Sequence, residues 1–106
     1  MVVGGSTNTF LYNGNPPSNE MNVGSYPYLV MQPRSQKLVP VVQAFAYTKY
    51  LGDLQLKFTD NGEMDNFRGN SILLDQSLPQ DETILEALEP FKTEIDAISK
   101  GFVFNE

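Results

Sequence analysis

The spacing of apolar residues changes period near Pro79, and that change restricts the chain to strands first and helix last. Upstream, Leu54, Leu56 and Phe58 alternate with Gln55 and Lys57, the period of two that gives a strand one buried and one wet face. Downstream, Ile84, Leu88, Phe91, Ile95 and Ile98 recur at helical steps and line up as one stripe. The sequence therefore predicts an α+β chain, an antiparallel β-meander followed by a C-terminal helix.

Local signals fill in the meander. Tyr26 to Gln32 is rich in aromatic and branched residues and reads as a strand, turned at Pro33-Arg34-Ser35-Gln36 into a second strand through Leu38 to Tyr47. Pro40 predicts that this second strand starts late or lies at an edge, because proline has no N–H to give a ladder. Asp60-Asn61-Gly62 is the strongest hairpin signal, joining Asp53–Thr59 to Glu63–Arg68, with Ser71–Leu74 extending the sheet after a break at Gly69-Asn70. Residues 13 to 25 supply turn formers and no apolar period, and Pro16-Pro17 holds that loop extended. Ser77-Leu78-Pro79-Gln80 has capping-box spacing. Pro90 predicts a short helix to about Leu88 and a second from near Pro90, with Gly101 as the stop.

Charge excludes one large class of partner. The net charge of -6 lies wholly after Leu74, where eight acids face Lys92 and Lys100, while the first 74 residues carry five of each sign. No basic stripe is present to neutralise phosphates, so nucleic acid is not an expected partner. No run is long and apolar enough for a transmembrane segment, and the chain as written shows no export signal. With 106 residues the chain makes one domain at most and is expected to be marginally stable. There is no histidine and no cysteine. General acid–base or nucleophilic chemistry of the Cys/His or Ser/His kind is therefore not available to it.

The opening residues Val2-Val3-Gly4-Gly5-Ser6-Thr7-Asn8-Thr9-Phe10-Leu11-Tyr12 read as a short strand entering a tight loop. Taken alone such a Gly-Gly is a turn. In order and at matching spacing, however, Tyr12-Asn13-Gly14-Asn15-Pro16-Pro17-Ser18, Tyr26-Pro27-Tyr28, Val39-Pro40-Val41-Val42-Gln43-Ala44-Phe45-Ala46-Tyr47, Lys49-Tyr50-Leu51-Gly52 and Gly69-Asn70-Ser71-Ile72-Leu73-Leu74 follow it. Together these stretches resemble the 5'-nucleotidase family of metallophosphatases, including ecto-5'-nucleotidases and secreted apyrases.

The resemblance implies that residues 1–78 correspond to the C-terminal portion of the metallophosphatase domain, and 79–106 to an acidic helical segment starting the interdomain bridging helix. In that family a zinc-type binuclear site is held by an Asp-x-His motif, a shared aspartate, an Asn-His motif, a further histidine and a Gly-Gly-His-x-Asn/Gln loop. Only the last falls in this chain. Asn8 then stands at the amide metal ligand, where it also binds substrate, and Ser6 replaces the family histidine. A neutral, weakly basic hydroxyl is a poor exchange for imidazole. Carboxylates and amides suit calcium or magnesium better. The chain alone is accordingly expected to bind no metal, to contain no catalytic residue and to turn over nothing.

The family hydrolyses nucleoside phosphates outside the cell, so the expected function is that of a partial 5'-nucleotidase/apyrase-like protein, extracellular or at the cell surface. The alternative is a non-catalytic binding or interaction protein derived from that fold, which the lost histidine favours. An apolar stripe left without a partner would promote self-association. Tyr12, Tyr26, Tyr28, Phe45, Tyr47, Tyr50 and Phe58 are expected to pack in the sheet rather than stack a base. The carboxylates Asp53, Asp60, Glu63 and Asp65 show no spacing that demands an acid–base pair.

Overall fold

A computed structural model of the chain describes residues 1–5 and 8–104. Among the described residues five strands precede one helix: β1 (Val3–Gly4), β2 (Tyr28–Met31), β3 (Leu38–Val42), β4 (Tyr50–Phe58), β5 (Met64–Leu73) and α1 (Glu82–Phe104). Mixed α+β class with antiparallel strands and a C-terminal helix is what the change of period predicts. The chain forms two compact units, Met1–Asp75 and the segment from Gln76 onward.

The strands do not make one continuous meander. They form a three-stranded sheet in the order β1-β3-β2 and a separate β4-β5 ribbon. β2 and β3 are antiparallel, with Leu29 opposite Pro40, whereas β1 joins β3 in parallel through Val3↔Val41 and Gly4↔Val42. Pro40 consequently sits in the central strand, not at an edge or ahead of a late start. This is possible because β1 begins to pair only at Val41, so one flank of Pro40 has no strand waiting for a donor.

The β4-β5 ribbon turns at Asp60-Asn61-Gly62 as expected, with Gly62 at φ 79° and Thr59 N–H donating to Glu63 O at 2.8 Å. β5 runs unbroken through Gly69-Asn70, since Gly69 and Asn70 pair directly with Leu54 and Asp53. Side chains bind the ribbon to the loop before β2. Asn13 N–H donates to Asn70 Oδ1 and Asn70 Nδ2 to Asn13 O, both at 3.0 Å. Buried Ser71 donates its hydroxyl to Leu11 O at 3.0 Å. The core they close over is small: Phe10, Leu11, Tyr26, Pro40 and Tyr50.

The acidic segment is one helix rather than two. α1 runs through both Pro90 and Gly101. Proline in a helix interior removes the bond to the carbonyl four residues back and costs about 3 kcal/mol, but good helix formers on both sides, from Leu85 to Glu89 and at Lys92 and Glu94, carry the helix across. Its cap is Asp81 rather than Ser77: Asp81 Oδ1 accepts from Ile84 N–H at 3.1 Å. Ile84, Leu88, Phe91, Ile95 and Ile98 form the expected stripe, and all five are exposed.

Candidate functional site

Two backbone clamps hold the loop that follows β1. Gly5 N–H donates to Val42 O at 3.0 Å, and Asn8 N–H donates to Phe45 O at 3.0 Å. Phe45 N–H returns a bond to Thr9 O at 3.2 Å, after which Phe10 bridges to Ala44. The pairing is parallel ahead of the loop, through β1 and β3, and antiparallel beyond it, where Phe10 faces Ala44. Ser6 lies outside the described residues. Asn8 is exposed at φ 73°, a left-handed conformation that asparagine tolerates better than most side chains, and no described residue hydrogen-bonds its carboxamide.

Facing this loop, the chain between Ala44 and Lys49 is strained. Phe45, Tyr47 and Thr48 all have positive φ, at 57°, 59° and 55°, and Lys49 N–H closes the bend on Ala46 O at 3.2 Å. Such backbone clusters at ligand sites more often than elsewhere. Aromatic packing fixes its base: Phe45 meets Phe10 edge-on at 6.0 Å, and Phe10 lies 4.7 Å from Tyr50 and 5.7 Å from Tyr12, centroid to centroid. Tyr47 departs from the expected packing and is 92% exposed at the tip.

Charge near the bend is neutralised. Lys49 forms an ion pair with Glu20, and this partner, together with the Ser18 hydroxyl, lowers the Glu20 carboxyl to about 2. Glu63 pairs instead with Lys37 at 3.2 Å, and burial, with Asp53 nearby, raises the Tyr26 hydroxyl. Among the described residues no three carboxylates converge to hold a metal. Among the described residues the loop itself offers one amide, Asn8, so these residues do not by themselves fit a two-metal centre.

The sequence pointed to Asn8 and to the Gly-Gly turn, but not to the left-handed bend opposite. It also missed Asn13, which donates Nδ2 to Tyr26 O and Gly69 O and accepts Tyr26 N–H at 3.0 Å, just before a cis Tyr26–Pro27 bond. The only visible hint was the cluster of asparagines in the loop.

No profile of a known protein family matches the chain. Individual proteins do. The 5'-nucleotidase of Homo sapiens is 46% identical over 99 residues, 93% of this chain. The chain is related to the 5'-nucleotidases. The 5'-nucleotidase of Diplobatis ommata is 48% identical over 103 residues, and the snake venom 5'-nucleotidase of Macrovipera lebetinus 45% over 95. The crystal structure of the 5'-nucleotidase precursor from Thermus thermophilus superposes with a TM-score of 0.76 at 31% identity, over 92% of this chain and 19% of that one. This 5'-nucleotidase-like chain spans 17% of the human protein's length and 23% of the Macrovipera protein's.

Proposed function

We propose that the chain is the ligand-loop portion of a 5'-nucleotidase or apyrase-like hydrolase of nucleoside phosphates, acting outside the cell or at its surface. The observation that supports this most directly is the clamped loop, which ends on an exposed, left-handed Asn8 whose carboxamide no described residue uses. In this reading Asn8 is the amide ligand of a divalent metal and touches the substrate phosphate. The bound metals would supply activation of water and neutralisation of the phosphoryl charge. The chain's own part is to hold Asn8 in place through the Val42 and Phe45 carbonyls. It performs no proton transfer.

The chain alone is accordingly inactive, since the remaining ligands of the resembled family are not in it. A second reading, a non-catalytic interaction protein, is supported by Ser6 standing where the family has histidine. Phosphate release from AMP and ADP, with zinc, cobalt, magnesium or calcium supplied, tests both. The chain and its Ser6→His variant are expected to match the no-protein blank while retaining a folded circular-dichroism spectrum. Turnover by either would overturn the proposal that further ligands are essential.

A further inference from the structure

Two Asn-Gly pairs occur in the chain, Asn13-Gly14 and Asn61-Gly62, and both asparagines are exposed. Such a pair is chemically labile, because glycine has no Cβ to keep its backbone nitrogen away from the preceding carboxamide. Hydrogen bonding treats the two pairs oppositely. Asn13 Nδ2 donates to Tyr26 O and to Gly69 O, and Asn13 Oδ1 accepts from Tyr26 N–H, the last two bonds both 3.0 Å long. The Asn13 carboxamide cannot turn toward Gly14 without breaking all three. Asn61 stands at the tip of the β4-β5 turn, and no described residue hydrogen-bonds its carboxamide. Among the described residues one bond restrains that reacting pair, Gly62 N–H to Thr59 O at 2.9 Å.

We infer that Asn61 is a site of spontaneous covalent modification, deamidation through a cyclic imide, and that Asn13 is protected from it. The Gly62 nitrogen gives up its proton and bonds to Asn61 Cγ; the Cγ–Nδ2 bond breaks and ammonia leaves with that proton. Water then opens the imide. Attack at the side-chain carbonyl gives aspartate, and attack at the main-chain carbonyl gives isoaspartate, in which the backbone runs through the former side chain and is longer by a methylene. The balance is a water consumed and an ammonia released, with no oxidant or reductant.

Either product sets a new carboxylate between Asp60 and Glu63 in the chain. Isoaspartate also lengthens the turn that Thr59 N–H, donating to Glu63 O at 2.8 Å, holds in register. The closed end of the ribbon is therefore weakened as the protein ages. Three bonds to break at Asn13 against one at Gly62 make Asn61 about thirtyfold the faster site in the folded chain.

The test ages the full chain at mildly alkaline pH in oxygen-labelled water, folded and in unfolding urea, and follows the peptides around both asparagines by mass spectrometry. Label enters a carboxylate newly made from an amide. The folded chain is expected to convert at Asn61 about thirtyfold faster than at Asn13, with the two sites near parity in urea. Asn61→Gln, whose longer side chain closes the corresponding ring far more slowly, should keep the urea midpoint of the aged chain at that of the fresh one. Two results overturn the inference. If Asn13 converts as fast as Asn61 in the folded chain, its three hydrogen bonds give no protection. If Asn61 stays intact when folded and converts only in urea, the bond from Gly62 to Thr59 holds the turn shut.

Discussion

Thr48 holds the most costly backbone among the described residues. A left-handed residue costs about 1–2 kcal/mol, and a β-branched one at φ 55° is an outlier even in that group. Thr48→Gly is expected to raise the unfolding free energy by about 1 kcal/mol, measured by urea titration. A fall would show that the Thr48 hydroxyl, bonded to Tyr47 O at 2.6 Å, outweighs the strain. Glu20 supplies a pH signature. Its carboxyl is lowered in the folded chain to about 2 from an ordinary 4.5, so its contribution is full above pH 4.5 and is lost as pH falls toward 2. The urea midpoint should therefore drop across that window, and Lys49→Met should flatten the drop. An unchanged slope in the variant would remove the ion pair from the explanation.

At the level of elements, α1 carries a defect and a cap, each open to a single substitution. Pro90→Ala should stabilise the helix by about 3 kcal/mol, seen as stronger helical circular dichroism and a later helical melt. Asp81→Ala should weaken it by about 1 kcal/mol. The helix was legible because its stripe is a local period. Its continuity was not, because whether proline ends a helix depends on how strongly both flanks favour one. The Asp60-Asn61-Gly62 turn was legible for the same local reason. The parallel pairing of β1 with β3 was hidden, since it joins residues distant in sequence and leaves no periodic mark. Asn8 stood out only through resemblance, and its left-handed backbone had no sequence signal beyond asparagine itself.

For the whole molecule, a small buried core and an open apolar stripe on α1 point to marginal stability and adhesion between copies. Sedimentation should show concentration-dependent association that Phe91→Glu reduces. A monomer at every concentration would assign the stripe no such role. Zinc should leave the melting temperature unmoved, whereas a metal binding only the folded form at a hundred times its Kd would add about 2.7 kcal/mol and raise it. The distribution of tyrosines has a practical consequence. The chain contains no tryptophan, Tyr26 and Tyr50 are enclosed, and Tyr47 stands almost bare at the tip of the strained bend. A reagent that nitrates or iodinates phenols will mark Tyr47 first. The protein thus carries a built-in colour label on the very bend whose Phe45 carbonyl holds Asn8.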